Sequence, residues 1–530
     1  MTDSPATGAA RHAPAYLSHR QILVVMSGLM AGMLLAALDQ TIVSTALPTI
    51  VGELGGLEHL SWVATAYLLT STASTPLYGK ISDLYGRRPI FLAAISIFLL
   101  GSALCGLSQN MAQLIGFRAV QGIGAGGLMA LVFAIIGDIV PPRERGRYQG
   151  LLGAVWGVSS VAGPLLGGLF TEELNWRWVF YVNLPVGAIA LVVVASVLNI
   201  PHTRRDHSID YLGAALLVAA TTSLLLYLSW AGPERGWFDG LSATMLAAAV
   251  VLAGSFVLRE ARAREPILPL SLFRNPVVSV ATAIGFVVGF AMFGAIVFVP
   301  VYLQVVDGVS PTESGLRMLP LMLGILVTSI LSGKLLTSMG RYKIFPILGT
   351  AGMALGMFLL SRLTADSSGW AAGLAMLVVG LGLGFVMQVL IIVVQNAVDF
   401  RIMGVATSSA TFFRAMGGTI GIAVSGALLS SRLDDNLREL LPAGAAARIP
   451  ADRLTGSPEA IQALPAPVKG PVIEAFVQSL HVVFLASVPV AVAAFALSLF
   501  LKELPLRTGH DHGPAAKGVD AEPAEAVTLA

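Results

Sequence analysis

The chain of 530 residues contains fourteen apolar runs, each close to the length that crosses a lipid bilayer. A helix needs roughly 20 apolar residues to span the hydrocarbon layer. Because lipid offers the backbone no hydrogen-bonding partners, an exposed strand would be unsatisfied, and these runs are predicted to be helices. They lie at roughly 21–47, 61–79, 90–108, 113–138, 149–170, 182–200, 211–230, 242–258, 277–303, 315–337, 344–363, 371–397, 404–430 and 477–501.

The composition indicates that lipid is the main solvent of the folded chain. Charged residues make up 12% of it, against about 25% in ordinary soluble domains, and the mean hydropathy is +0.80. The net charge of +2 is too small to indicate a nucleic-acid partner. The single cysteine, Cys105, excludes an internal disulfide. The first run is long and contains Asp39, so we interpret it as a retained helix rather than a cleaved signal peptide.

Lysine and arginine residues are distributed asymmetrically between the two sets of loops. Cytoplasmic loops of membrane proteins carry an excess of these residues. With the N-terminus inside, the short opposite loops hold few of them, chiefly Arg177, Arg235 and Arg362. The following then lie on or near cytoplasmic loops: Lys80, Arg87, Arg88, Arg143, Arg145, Arg147, Arg204, Arg205, Arg259, Arg262, Arg264, Arg274, Arg341, Lys343 and Arg401. We therefore expect a multi-pass protein of a bacterial-type inner membrane with both termini in the cytoplasm.

The polar ends of the chain and one long loop are predicted to lie outside the spans. Residues 1–20 form an N-terminal cytoplasmic tail, residues 432–475 a long external loop, and residues 502–530 a disordered cytoplasmic tail. The sequence His510-Asp511-His512 in that tail could hold a metal ion, but a solvated tail is the favoured interpretation. No metal site is therefore predicted.

A set of glycines recurs at a fixed offset, which indicates an internal repeat. At an offset of 258 the first set is Gly122, Gly124, Gly126, Gly146, Gly163 and Gly168, and the second is Gly380, Gly382, Gly384, Gly404, Gly421 and Gly426. At an offset of 254, Gly79-Lys80 and Gly86-Arg87 recur as Gly333-Lys334 and Gly340-Arg341. Spans 2, 4 and 5 therefore correspond to spans 10, 12 and 13.

This displacement of eight helices is even, so both copies have the same orientation in the membrane. Two parallel six-helix halves are predicted, at 21–200 and 276–501, with a two-helix insert at 201–275. The alternative is a chance match between unrelated glycine-rich helices that pack closely.

Four sets of motifs lie on the spans in an order that resembles a known transporter family. The signature loop between helices two and three of the major facilitator superfamily resembles residues 79–88 (GKISDLYGRR). The fourth-helix motif of its proton-coupled members resembles residues 118–124 (RAVQGIG). Its antiporter motif is similar to residues 163–168 (GPLLGG), although Ala154 stands where a glycine is usual. Two segments, at residues 38–43 and 175–185, resemble the fourteen-helix drug:proton antiporter family of the EmrB/QacA type.

The resemblance covers about residues 20–500. It implies an all-α membrane protein with the major facilitator fold, in which two additional central helices separate two parallel six-helix halves. It also implies proton-coupled export by alternating access.

Three ionisable residues lie deep inside spans, where charge is costly and usually functional. They are Asp39, Arg118 and Arg414. Asp39 and Arg118 lie at similar depth in spans 1 and 4, so they can meet. We hypothesise that Asp39 binds the transported proton and that Arg118 controls its proton affinity. The alternative is a permanent ion pair that only fixes two helices.

Arg414 and Gln388 are the candidate residues of a substrate cavity. Arg414 lies near mid-membrane, and Asp399 is 15 residues away, about 22 Å along a helix, so the two cannot pair through that helix. Asp39, a substrate anion or backbone carbonyls remain as possible partners. Gln388 is either a polar contact in the cavity or an interhelical hydrogen bond.

A conformational switch is implied by resemblance at Gly79, Asp83, Gly86, Arg87 and Asp138. Asp83, Arg87 and Asp138 would form a charge relay that holds the outward-facing state, with Asp83 near the positive start of span 13 at Gly404. In the second half the corresponding positions are Thr337, Arg341 and Asn396, so the carboxylates are lost. The alternative is that the basic residues of this loop only fix topology.

Gly163, Pro164, Gly167 and Gly168 form the antiporter motif of span 5. Proline interrupts the helical hydrogen bonds, and glycines permit close contact between helices. A hinge or a sealing contact between the halves is the functional interpretation, and ordinary helix packing is the alternative.

The function expected from these features is efflux of amphipathic small molecules. No Asp or Glu lies deep in spans 9–13, which favours neutral or singly cationic cargo. A dedicated exporter of an endogenous antibiotic, siderophore or lipid is the alternative. No nucleophile elbow or His/Cys cluster indicates an enzyme, and Gly122-x-Gly124-x-x-Gly127 lacks the strand of a dinucleotide site. We expect a monomer without cofactors whose partners are the substrate, protons and the lipid bilayer.

Overall fold

The structure, a computed structural model, describes residues 19–54, 60–141, 144–198, 210–228, 236–263, 265–399, 402–441, 461 and 464–506. Within these residues there are fourteen helices of at least 15 residues and no strands. We number them α1 (His19–Leu54), α2 (Leu60–Tyr85), α3 (Arg87–Gly106), α4 (Met111–Ile139), α5 (Arg145–Glu173), α6 (Asn183–Val197), α7 (Tyr211–Leu226), α8 (Gly240–Glu260), α9 (Pro276–Val305), α10 (Leu319–Met339), α11 (Ile344–Leu360), α12 (Gly369–Ala397), α13 (Met403–Leu440) and α14 (Ala466–Leu499).

The helices have the length and composition of membrane spans. In the described part of the chain, eleven are long and apolar enough to cross a membrane, and α7 and α11 are shorter apolar helices. The remaining helix, α2, is richer in Ser and Thr, and several of these side chains, such as Thr72 and Thr75, are buried in the protein. The prediction of an all-α membrane protein is therefore confirmed.

Local sequence signals set several helix ends. Asn110 begins α4 by accepting a hydrogen bond from the Gln113 backbone N–H at 2.9 Å. Asn275 caps α9 in the same way, and Pro276 occupies the first helical position, where no backbone donor is needed. Gly340 ends α10 with φ of 67°, a left-handed conformation that glycine adopts without strain.

The two halves show the same packing pattern at a displacement of eight helices. In the first half α4 packs on α2 and α3, and α1 packs on α5 and α6. In the second half α12 packs on α10 and α11, and α9 packs on α13 and α14. Repeated glycines make these contacts close: Gly126 leaves no room for a Cβ beside Ser71 of α2, and Gly384 leaves none beside Ile325 of α10.

The halves meet mainly through α2 with α13 and α5 with α10. The backbones of Gly146 and Gly333 touch, and Gly79 packs against Ser408. These contacts lie where α2 and α10 end and where α5 and α13 begin, which we call the switch end of the bundle. The inserted pair, α7 and α8, packs on itself, and α7 packs on α2.

The long external loop is shorter than residues 432–475. Residues 432–440 continue α13, and residues 466–475 already belong to α14. Leu433, Leu437 and Leu441 recur every four residues, and this apolar stripe packs with Val472 and Phe476. Charged residues lie between these leucines, so the stripe was not recognised from the sequence. Residues 442–460 and 462–463 lie outside the described residues, as do the terminal residues 1–18 and 507–530 with His510–His512.

The first residues of the predicted C-terminal tail are ordered as a segment that we call the C-terminal strap, residues 500–506. The Tyr342 hydroxyl donates to the Lys502 carbonyl at 2.7 Å and accepts from the Leu504 N–H at 2.8 Å. Asn396 donates its side-chain amide to the Pro505 carbonyl at 3.2 Å. The strap therefore crosses the switch end of the second half, and the disorder predicted for 502–506 is wrong because a buried tyrosine and an asparagine hold it.

We expect Tyr342→Phe to loosen the strap, because it leaves two backbone groups of the strap without their partner. The free energy of unfolding should fall by about 1–3 kcal/mol. Thermal unfolding of the purified protein in detergent and the rate of protease cleavage in the C-terminal segment measure the effect. The control is Tyr211→Phe, whose side chain is 76% exposed. Equal melting temperatures for the two variants would contradict this role of the strap.

Candidate functional site

A buried polar cluster surrounds Asp39 between α1, α4 and α6. Arg118 Nη1 lies 2.5 Å from Asp39 Oδ2. Asp39 Oδ1 accepts hydrogen bonds from Gln121 Nε2 at 2.7 Å and from Asn183 Nδ2 at 3.1 Å. Asp39 is 0% exposed and Arg118 is 2% exposed. We call these four residues the coupling cluster, and all the groups that contact the carboxylate are donors.

The Arg118 guanidinium is held by groups from several elements. Its Nε donates to the Val63 carbonyl of α2 at 3.2 Å, and Nη1 also donates to Gln121 Oε1 at 2.8 Å. It stacks on the Tyr67 ring with 4.2 Å to the centroid, and the Phe180 ring lies at 5.9 Å. Removing either member of such a buried ion pair leaves an uncompensated charge, which is strongly destabilising.

Sequence reasoning found the Asp39–Arg118 pair but missed the two amide residues that complete the cluster. Gln121 is three residues after Arg118, so both lie on one face of α4. Asn183 is the first residue of α6 and also donates to Ser102 Oγ at 3.0 Å. Gln121 lies in the motif at residues 118–124, and Asn183 lies in the motif at residues 175–185. The sequence signals that could have identified them are the three-residue spacing of Gln121 from Arg118 and the position of Asn183 directly before an apolar run.

The glycine–proline motif of α5, residues 163–168, packs on the same helix that carries Asp39. Gly163 is against Thr41 with no room for a side chain, and Gly167 touches α1 one turn further on. The Thr41 hydroxyl donates to the Ser159 carbonyl at 2.9 Å, in the turn of α5 that precedes Pro164. The glycines therefore make a contact within the first half rather than between halves.

Pro164 is the member of this motif that faces the second half. A Cβ on Gly315, in the short helix Pro311–Arg317 before α10, would lie 3.2 Å from Pro164 Cγ. Gly168 is half-buried, and its carbonyl accepts from the Thr171 hydroxyl at 3.0 Å. Pro164 thus lies against the second half at the opposite end of the bundle from the switch end.

The residues implied as a conformational switch lie together at the switch end. Arg87 Nε lies 2.6 Å from Asp138 Oδ2, and Arg87 Nη1 lies 2.5 Å from Asp83 Oδ1. Asp83 Oδ2 accepts from the Val405 N–H in the first turn of α13 at 2.9 Å. Asp83 therefore joins the two halves, and we call Asp83, Arg87, Asp138, Gly404 and Val405 the switch cluster.

Glycines allow this cluster to form. Gly86 has φ of 94°, which favours glycine, and it separates α2 from α3 so that Arg87 turns back toward Asp83. A side chain at Gly404 would collide with Asp83 and Arg87. In the second half, the Thr337 hydroxyl donates to the Gly333 carbonyl of its own helix, and Asn396 binds the C-terminal strap.

The two candidate cavity residues, Gln388 and Arg414, lie in different surroundings. Gln388 is buried opposite Gly153 of α5, and among the described residues its Oε1 has no hydrogen-bond partner. Arg414 lines a small apolar recess together with Gly285 and Leu390. Neither residue joins the coupling cluster. Within the described ranges, no group of three or more His, Cys, Asp or Glu residues could hold a metal ion.

Comparisons with known proteins gave matches that cover most of the chain. The family model described as Major Facilitator Superfamily matches residues 29–422. The multidrug transporter protein MdtP of Bacillus subtilis is 39% identical over 514 residues, 92% of this chain and 94% of that protein. Multidrug resistance protein 3 of the same species is 34% identical, covering 91% of this chain and 96% of that protein.

An uncharacterised MFS-type transporter of Mycobacterium tuberculosis is 44% identical over 488 residues, 92% of this chain and 70% of that protein. Among solved structures, the human organic anion transporter MFSD10 superposes with a TM-score of 0.60 at 16% identity, covering 88% of this chain and 99% of that chain. The proton:xylose symporter XylE gives 0.59 at 15% identity, covering 92% and 97%. At such identities the two structures show the shared fold alone.

We expect Asp83→Asn to weaken closure of the switch end, because the Val405 N–H then loses a charged acceptor. Such a hydrogen bond contributes about 1.5–3 kcal/mol, so amide exchange of residues 402–409 should be roughly ten- to a hundredfold faster. Hydrogen–deuterium exchange with mass spectrometry measures this. The matched control is Asp366→Asn, which removes an exposed carboxylate. Unchanged exchange at 402–409 would show that Asp83 does not hold the halves together.

Proposed function

The chain belongs to the Major Facilitator Superfamily, and we propose that it exports small amphipathic molecules from the cell in exchange for protons. Its relatives are transporters, so it is a multi-pass membrane transporter rather than an enzyme. Two relatives are named as multidrug proteins, which supports efflux. Resemblance to the fourteen-helix EmrB/QacA type supports antiport.

The observation that carries proton coupling is the all-donor environment of the buried Asp39 carboxylate. An ionised carboxylate satisfies three donors, whereas a protonated Asp39 would place a hydroxyl among them and leave Arg118 without its counterion. Proton binding therefore requires the coupling cluster to rearrange. Asn183 Oδ1 is buried and has no hydrogen-bond partner in the described part of the chain, and a rotation of this amide offers an acceptor to the new hydroxyl.

A rearrangement at Asp39 can be transmitted through α1 and α5 to the contacts between the two halves. Thr41 follows Asp39 by two residues and binds α5 beside Gly163. Pro164 of α5 contacts the second half, and the start of α5 contacts the end of α10. We assign the switch end to the cytoplasm from its Lys and Arg content, so the described conformation is closed toward the cytoplasm and Asp83 acts as its latch.

The proposed cargo is neutral or singly cationic, because α9–α13 contain no deep carboxylate that would neutralise a second positive charge. The proton gradient of a bacterial-type inner membrane supplies the energy without a cofactor, and one chain is the functional unit. A panel of unrelated dyes and antibiotics separates multidrug export from dedicated export of one endogenous product.

The decisive variant is Asp39→Asn, which keeps the size of the side chain but removes the titratable group. In a pump-deficient host, wild-type efflux of amphipathic dyes should stop when a protonophore is added. Asp39→Asn should lower efflux to the level of cells without the transporter, because no proton can be released to drive the cycle. Efflux by Asp39→Asn that remains fast and protonophore-sensitive would refute the assignment.

Glu53→Gln is the matched control on the same helix. Glu53 lies beyond the apolar part of α1 and pairs with Arg177 at 2.6 Å. The hydrogen bond from Arg177 lowers the pKa of Glu53, so this carboxylate stays ionised at neutral pH. An exposed pair of this kind contributes about 0–1 kcal/mol, and we expect near wild-type efflux.

A further inference from the structure

The inserted helices α7 and α8 are joined to each other by a buried carboxylate. Asp210 begins α7 by accepting a hydrogen bond from the Gly213 N–H at 2.9 Å. Arg259, in the last turn of α8, lies 3.0 Å from the same carboxylate. The start of the insert and its end are therefore held together, and the pair can move as one unit.

Glu260, the last residue of α8, holds the segment that leads from the insert to the second half. Its side chain is buried and accepts hydrogen bonds from the Ile267 N–H at 3.2 Å and the Leu268 N–H at 3.1 Å. Because buried backbone donors must be paired, this carboxylate fixes the path of the segment. We call residues 265–274 the clasp segment, which ends in a short 3-10 helix, Leu270–Arg274, before α9 begins.

The clasp segment makes contacts with both halves. Glu265 lies 3.7 Å from Lys80 Nζ of α2, in the first half. The Phe273 ring meets the Phe413 ring of α13 edge-on, with 5.7 Å between the centroids, and α13 belongs to the second half. The segment therefore bridges two helices that also pack directly on each other.

A buried apolar cluster lies under the clasp segment. Ile267 and Leu268 belong to it together with Phe256 of α8 and Phe412 of α13, and Leu77 of α2 packs against it. Its members thus come from the insert, the first half and the second half. The cluster can be complete only while α2 and α13 stay close together.

This cluster lies near the switch cluster on the same two helices. Lys80 precedes Asp83 by three residues of α2, and Phe412 follows Val405 by seven residues of α13, about 10 Å along the helix. Asp83 binds the Val405 N–H across the boundary between the halves. A movement that separates α2 from α13 at the switch end would therefore break both the Asp83 hydrogen bond and the clasp contacts.

We propose that the insert and its clasp segment form a second lock on the conformation that is closed at the switch end. The lock holds α2 and α13 together, and one of the two helices must leave it when the switch end opens. Contacts that exist in only one of two states shift the equilibrium toward that state. The inference rests on the proposed alternating-access export, and it gives the two additional helices a role in the transport cycle.

Double electron–electron resonance between two spin labels measures the closed and open populations. The labels are placed at Tyr85→Cys and Met339→Cys in a Cys105→Ala background, with the full chain in lipid nanodiscs. Tyr85 ends α2 and Met339 ends α10, so the labels lie on different halves, and both side chains are exposed. Opening of the switch end lengthens the distance between them.

Leu268→Ala should lower the ratio of closed to open molecules about tenfold, because it removes a buried side chain from the cluster. The matched control is Leu258→Ala on α8, whose side chain is 61% exposed, and it should leave the ratio unchanged. Asp83→Asn is the reference variant for the proposed switch, and it should also lower the ratio.

The outcomes separate the clasp from the proposed switch. A ratio that falls in Asp83→Asn but not in Leu268→Ala would overturn the clasp and leave the switch intact. A ratio that neither variant changes would contradict both. Equal changes in Leu268→Ala and Leu258→Ala would also overturn the clasp, because the effect would then not depend on the buried cluster.

If Leu268→Ala does not fold, Lys80→Glu decides, because it changes the clasp at a polar contact rather than in the apolar cluster. Two carboxylates then face each other across the contact with Glu265, which should lower the ratio of closed to open molecules. Adding Glu265→Lys restores opposite charges and should restore the ratio. An unchanged ratio in Lys80→Glu, or no recovery in the double variant, would overturn the proposal.

Discussion

The buried ion pair between Asp39 and Arg118 is the interaction on which the rest of the structure depends. Both side chains are removed from water and lipid, and each compensates the charge of the other. Gln121, Asn183 and the Val63 carbonyl satisfy their remaining hydrogen-bonding groups. A charge change at Asp39 therefore disturbs four helices at once, because α1, α2, α4 and α6 all contribute to this arrangement.

The two halves are joined in part by polar and glycine contacts at the switch end. Asp83 binds the backbone at the start of α13, and glycines bring α5 close to α10. Apolar contacts also join the halves: Ile391 belongs to the buried apolar cluster of the first half, and Leu77 packs against the cluster that contains Phe412. The second half has no carboxylates in the corresponding positions, and the C-terminal strap binds there instead.

Membrane physics makes much of this structure predictable from sequence, because span length and buried charge are severe constraints. The helix count and the meeting of Asp39 with Arg118 followed from such patterns, whereas the contact of Asp83 with the start of α13 was implied by the family resemblance. Asn183 and the strap did not, because neutral amides and backbone hydrogen bonds leave no charge signature. The extension of α13 was missed because charged residues interrupt its apolar stripe. Arg414 was identifiable, but the apolar recess beside it required the structure.

Infrared difference spectroscopy during acid titration tests most directly whether the proton binds at Asp39. It detects the carbonyl stretch of a protonated carboxyl group in the purified transporter. We expect a buried-carboxyl band in the wild-type protein as acid is added, and its loss in Asp39→Asn. The band should persist in Glu53→Gln. This variant removes a carboxylate of the same helix, but one that lies outside the apolar part of the helix. Identical spectra for the wild type and Asp39→Asn would contradict proton binding at the coupling cluster.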